Sequence, residues 1–324
     1  MLLRWLASLR DGRRYPPPGF HVDAGGLRLH FHAEGEGAPT VVLDSALAGT
    51  SLSWSLVQPA VAAFTKVVSY DRGGFGWSDP STAPRRVDEL LAELRRGLAA
   101  ASLPPPYVLV GHSYGGFVAR FFASRHPKEV AAMVLVDVPH PREWSAPGEE
   151  QVRRIRRGAQ LSRRGAALAR LGITRHLFRL AERGLIVGET APGEQSRIQS
   201  LLGKVPESKR EIIRSFWVRP FTLDALASLI ENAPSSAALV EDAKTDLGNL
   251  PLRVLTASGP SPERIRDQEE VARLSSRGRH LVARSAGHWI PFDEPELVVE
   301  SIREVVLEAR ELDSSPPSRG RSNR

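Results

Sequence analysis

Apolar residues fall along this chain in short continuous runs that alternate with stretches at helical spacing. The runs 40–43, 66–70, 107–110, 130–136, 251–257 and 280–284 read as strands buried on both faces. Residues 20–24 and 27–33 flank Gly25-Gly26 and read as a hairpin. Val87, Leu90, Leu91, Leu94 and Leu98 line one side of a helix over 87–101, which the prolines at 104–106 stop. A helix of roughly ten residues is expected before Phe64, another over 267–274, and a last one over 296–312 with Leu297, Ile302, Val305 and Val306 inward. Strands alternating with helices predict an α/β fold, a mostly parallel sheet with helices on both faces. Ligands of such sheets bind beyond the C-terminal strand ends.

Over 141–250 the alternation fails, and the composition there is helical and short of strand formers. This predicts a helical cap inserted between two pieces of core, 20–140 and 251–312. Residues 1–19, basic and then proline-rich, read as a flexible N-terminal arm, and 313–324 as a disordered tail of Ser, Pro and Arg. Within 153–183 there are ten arginines and one acid, Glu182. They read either as the solvated face of the insertion or as a surface for acidic or lipidic material.

Composition narrows the chemistry. The 324 residues are 41% hydrophobic and 25% charged, ordinary for a globular chain. The net charge of +7 comes without zinc-finger spacing or an aromatic RNA-binding motif, so no nucleic-acid partner is expected. Cysteine is absent, which excludes disulfides, thiol nucleophiles and thiolate metal sites. The nine histidines form no HExxH pattern, so a zinc protease is not expected. Leu2 to Leu9 is too short and too interrupted to span a membrane, although a weak interfacial contact is compatible with it; the expected location is the cytoplasm. Oligomeric state is left open.

The strongest local signal is Gly111-His112-Ser113-Tyr114-Gly115-Gly116. It follows an apolar run and precedes Phe117, Val118, Phe121 and Phe122 at helical spacing. A Gly-x-Ser-x-Gly between strand and helix lifts the serine Oγ above the sheet edge. Gly111 and Gly115 let strand and helix approach closely. The Tyr114 N–H lies where a helix N-terminus concentrates positive charge, which suits a developing oxyanion. A second glycine-rich stretch, Asp71-Arg72-Gly73-Gly74-Phe75-Gly76-Trp77-Ser78, lacks the third glycine of a dinucleotide site and the lysine of a P-loop; it reads as a tight structural turn.

These two stretches, the small-residue loop Asp44 to Trp54 and Gly287-His288 come in an order that resembles the α/β-hydrolase superfamily, in its capped esterase-like branch, over roughly residues 20–310. The resemblance implies an eight-stranded sheet. It makes Ser113 the nucleophile and His288, after the last strand, its base, ahead of His112, His140 and His280. The family usually carries its acid after the strand that follows the cap, but Thr256 to Pro262 holds no carboxylate. Some members place it at the end of the strand before the cap, here Asp137, which closes an apolar strand and needs a partner. Glu263 and Asp267 stay open as alternatives. The second oxyanion donor aligns with the Leu47 N–H, although the family's His-Gly pair is replaced by Ser45-Ala46. Serine at the elbow, not aspartate, argues against the dehalogenase and epoxide-hydrolase branches. The expected activity is hydrolysis of a small or medium apolar carboxylic ester through an acyl-enzyme. The acyl-transfer mechanism that the resemblance implies calls for neither a metal nor a cofactor. An amidase or aminopeptidase of the same fold, or a non-catalytic binding module, are the competing readings.

Overall fold

A computed structural model describes residues 14–174, 203–243 and 245–314. Eight strands form one sheet: β1 (Phe20–Asp23), β2 (Arg28–Glu34), β3 (Thr40–Asp44), β4 (Val67–Tyr70), β5 (Tyr107–His112), β6 (Val130–Val136), β7 (Leu252–Thr256) and β8 (Gly278–Val282). Their spatial order is β1-β2-β4-β3-β5-β6-β7-β8. The pairs β1–β2 and β2–β4 are antiparallel, and every pair from β4 to β8 is parallel. The expected α/β architecture with a mostly parallel eight-stranded sheet is therefore the observed one.

The helices among the described residues are α1 (Gln58–Ala62), α2 (Val87–Ala100), α3 (Gly115–Arg125), α4 (Arg142–Ser145), α5 (Glu149–Arg170), α6 (Glu207–Trp217), α7 (Pro220–Asp242), α8 (Pro262–Ala272), α9 (Ile290–Asp293) and α10 (Pro295–Ser314). Because strand side chains alternate, each central strand feeds two cores. Val41, Leu43, Val108, Val110, Val134 and Val136 face α1 and α10, where Val61, Ile302, Val305 and Val306 close the layer. Val42, Leu109, Met133 and Leu135 face α2, α3 and α8 on the other side.

Several boundaries differ from the sequence reading. The helix expected before Phe64 is a 3-10 turn, Ser51–Trp54, followed by α1. Pro59 in the first turn of α1 has no N–H to continue a preceding helix, so the chain starts a new one. Helix α8 begins earlier than 267, because the Ser261 hydroxyl caps it by accepting from the Arg264 N–H at 3.1 Å. Asp313 and Ser314 belong to α10 and not to a tail; 315–324 lie outside the described residues. The end of the supposed flexible arm is tied down, since Trp77 Nε1 donates to the Tyr15 carbonyl at 2.9 Å and the His30 imidazole bonds the Pro18 carbonyl; residues 1–13 are outside the description.

Between β6 and β7 the described chain is helical. Helix α7 joins the main core directly, with Ala225, Leu229, Ala233, Ala237 and Val240 in one apolar cluster with Leu90, Tyr114 and Phe117. The arginines of α5 are exposed, and several of them pair with acids: Arg153 with Glu149, Arg154 with Glu150, Arg163 with Glu231 and Arg170 with Asp224. The remainder of the arginine-rich stretch, 175–183, lies outside the described residues.

Candidate active site

The site forms where the parallel strands end. Strand β5 runs straight into Ser113, whose φ is +52°, a left-handed value that a serine adopts only under constraint. The constraint is close packing on three sides. A Cβ at Gly111 would meet the Gly115 carbonyl carbon at 2.5 Å, one at Gly115 the Asp44 carbonyl carbon at 2.8 Å, and one at Gly116 the Val138 Cβ at 2.8 Å. The Ser113 N–H is tied to the Val136 carbonyl of the neighbouring strand at 2.9 Å. The turn leaves Ser113 half-buried at the head of α3.

Asp137 repeats the device on the next strand. Its φ is +44°, and it is 7% exposed. One carboxylate oxygen, Oδ2, accepts from His288 Nδ1 at 2.6 Å. The other, Oδ1, accepts from the Ala257 N–H at 3.3 Å and from Arg264 Nη2 at 3.2 Å. Burial opposes its charge, but the His288 hydrogen bond, the nearby His288 and Arg264 charges and the Ala257 amide outweigh that, and its pKa falls below the usual carboxylate value. The Asp137 partner is thus an arginine of α8 as well as the histidine, and Arg264 also holds the Val138 carbonyl at 2.8 Å.

With Nδ1 on Asp137, Nε2 is the His288 nitrogen left for chemistry, and its side chain is 45% exposed. Among the described residues no hydrogen bond joins Ser113 to His288; such bonds commonly tighten only with substrate in place. His112 supports the pair from below. Its Nε2 donates to the His288 carbonyl at 2.8 Å, and its ring lies 5.0 Å from the His288 ring. Burial, then the neighbouring His288, lowers the His112 pKa to about 3, so it is a neutral prop and not a proton carrier near pH 7.

The other candidates lie elsewhere. His280 bonds Thr256 Oγ1 at 2.9 Å, and His140 sits against Arg142. Glu263 is exposed on α8, and Asp267 faces Arg142 at 3.9 Å; neither is brought to His288. The family-typical position after β7 supplies the Ala257 amide in place of a carboxylate. The N–H groups of Tyr114 and Leu47 are bonded to no other group among the described residues. Leu47 lies in a turn closed by Gly49 N–H on the Ala46 carbonyl at 2.9 Å. No set of three or more His, Cys, Asp or Glu among the described residues is placed to hold a metal ion, and none of their helices is long and apolar enough to cross a membrane.

Sequence reasoning missed Arg264, whereas the packing of His112 beneath the elbow is expected from its place in the motif. No local pattern marks Arg264, which meets Asp137 across 127 positions of chain. For His112 the only signal is its place within the elbow motif.

Residues 39–181 match the family model of the alpha/beta hydrolase fold. The uncharacterized protein YbdG of Bacillus subtilis is 30% identical over 128 residues, 39% of either chain. A 2-hydroxymuconate semialdehyde hydrolase of Pseudomonas sp. is 30% identical over 123 residues, 37% of this chain and 44% of its own. The matches thus span about two fifths of these curated relatives' length. A thermophilic esterase from Thermogutta terrifontis superposes with a TM-score of 0.61 at 22% identity, over 90% of this chain and 98% of its own, which speaks for the fold. Sheet order, the strained serine between β5 and α3, and these likenesses agree on one architecture: the chain has the α/β-hydrolase fold, and residues 39–181 carry the match to that family's model.

Proposed function

We propose that the protein is a serine hydrolase that cleaves a carboxylic ester of a small or medium apolar acyl group. The observation that carries this reading is the 2.6 Å bond between Asp137 Oδ2 and His288 Nδ1, made beyond the strand that neighbours the one bearing the strained Ser113. An aspartate on Nδ1 fixes the tautomer that leaves Nε2 as base and stabilises the imidazolium that forms.

The reaction runs in two steps. Ser113 Oγ attacks the ester carbonyl carbon while His288 Nε2 takes its proton, and the carbonyl oxygen becomes an oxyanion held by the Tyr114 and Leu47 N–H groups. The intermediate collapses, the C–O bond to the alcohol breaks, and His288 gives its proton to that oxygen. Water then attacks the acyl-serine, His288 takes one of its protons and returns it to Ser113, and the carboxylic acid leaves.

The acids of the insertion bear on the aminopeptidase reading, which needs free carboxylates to hold a substrate amine. Glu150 and Glu231 are engaged by arginines of α5, which favours the ester. Covalent labelling with a fluorophosphonate probe tests the proposal. Wild type is expected to label, Ser113→Ala to lose labelling, and His288→Ala to label at least about 100-fold more slowly. Folded wild type that neither labels nor turns over p-nitrophenyl esters would sink it.

A further inference from the structure

The glycine-rich stretch after β4 reads from sequence as a tight turn, and its glycines do serve one: a Cβ at Gly76 would strike the Asp71 carboxylate. The arginine inside it does something else. Arg72 is 3% exposed and reaches across to the loop after β3. Its Nη2 donates to Asp44 Oδ1 at 2.6 Å and to the Ser45 carbonyl at 2.5 Å, and its Nη1 donates to the Ala46 carbonyl at 3.1 Å. The guanidinium carbon also lies 5.5 Å from the centre of the Tyr114 ring. One side chain therefore touches both residues that flank the nucleophile's oxyanion side: the peptide leading into Leu47, and Tyr114.

The planar peptide gives this contact a direction. In a trans peptide the C=O of one residue and the N–H of the next point opposite ways. The Ala46 carbonyl is held by Arg72 and by the Gly49 N–H, so the Leu47 N–H is turned away from both. Two successive carbonyls drawn to one cation leave the following two N–H groups on the far side, the kind of backbone concavity that receives anions. Gly115 packs directly on the Asp44 and Ser45 backbone, so the loop and the elbow are in register with one another.

We propose that Arg72 is a positioning residue, which locks the two halves of the oxyanion site into one geometry and aims the Leu47 N–H at the developing charge. The inference rests on the acyl-transfer reading above. It also accounts for a buried ion pair with Asp44, which an apolar pair would replace at no loss of stability if stability were its whole purpose.

The test is steady-state hydrolysis of p-nitrophenyl butyrate by wild type, Ser113→Ala, Arg72→Lys, and Arg72→Met combined with Asp44→Asn. The double variant removes both buried charges and so keeps a folded protein to measure. Active sites are counted by exhaustive fluorophosphonate labelling, and folding is followed by circular dichroism. Loss of one oxyanion donor typically costs about 100- to 1000-fold in kcat. The double variant is expected to lose about 100-fold in kcat per labelled site with KM within about threefold, and Arg72→Lys to recover part of the loss. A folded double variant with kcat per site within about threefold of wild type would overturn the inference, as would a loss that only tracks the number of labelled sites. Absence of turnover in wild type, or its persistence in Ser113→Ala, would instead remove the ester reading on which the inference stands.

Discussion

Three groups meet the Asp137 carboxylate, and each does a different job. His288 takes the oxygen that faces the sheet edge, while Arg264 and the Ala257 amide take the other. Asp137→Asn keeps the shape but offers an amide that cannot stabilise an imidazolium. We expect labelling to slow about 1000-fold or more while thermal stability falls little, read by probe kinetics beside a melting curve. His112 carries a separate consequence. Its folded-state pKa of about 3 lies below the ordinary histidine value, so between the two the unfolded chain binds a proton that the folded one does not. Stability then falls as pH drops through that window. His112→Gln, whose amide can still donate to the His288 carbonyl, should reduce the slope of unfolding free energy against pH below about 6.5 by up to ~1.4 kcal/mol per unit, measured by urea titration at several pH values. Arg120 on α3 is the opposite case, a buried cation whose Nε and Nη1 find no hydrogen-bond partner among the described residues, with its pKa lowered to about 10 by burial. Replacing it with methionine should leave the melting temperature unchanged or raise it.

At the scale of elements, the elbow is the tightest joint in the fold. The approach of α3 to β3 leaves no room for a methyl at 115, where the obstacle is backbone and cannot swing aside. Gly115→Ala should cost about 1–3 kcal/mol in urea unfolding and also displace Ser113, so probe labelling should fall out of proportion to the stability loss. This joint was legible in the sequence, because a glycine pattern between an apolar run and a helical stripe has few structural explanations. Asp137 was legible for a different reason: a charge closing a wholly apolar strand demands a partner. Its pairing with His288 came with the family resemblance, but the share taken by Arg264 was not legible, because Arg264 reaches it from 127 positions away and neither periodicity nor local propensity encodes a distance through space. The Asp-Arg-Gly-Gly stretch shows the same limit. Its turn was visible in its glycines, but the reach of Arg72 to three groups of another loop was not.

Over the whole molecule, α7 decides whether insertion and core behave as one body. Its Ser236 hydroxyl accepts from Tyr114 Oη at 3.0 Å and from the Val87 N–H at 3.1 Å, and Leu229 is fully buried in the main core. An insertion rooted this way should unfold with the sheet. Tryptophan fluorescence and far-ultraviolet circular dichroism are therefore expected to report one coincident urea transition, and Leu229→Ala to shift it by about 2–5 kcal/mol without splitting it.

The sequence by itself determined the sheet and its helices and marked the serine elbow, which follow from period and glycine placement within a few residues of chain; the pairing of Asp137 with His288 entered as what the family resemblance implies. Tertiary structure alone decided that the post-β7 loop offers an amide to Asp137 where a carboxylate was sought, that Arg264 shares this acid, that the arm near Tyr15 is fastened, and that Arg72 gathers the loop before Leu47. Each of these depends on which distant side chains are brought within hydrogen-bond reach once the layers close, a matter of packing and not of local pattern.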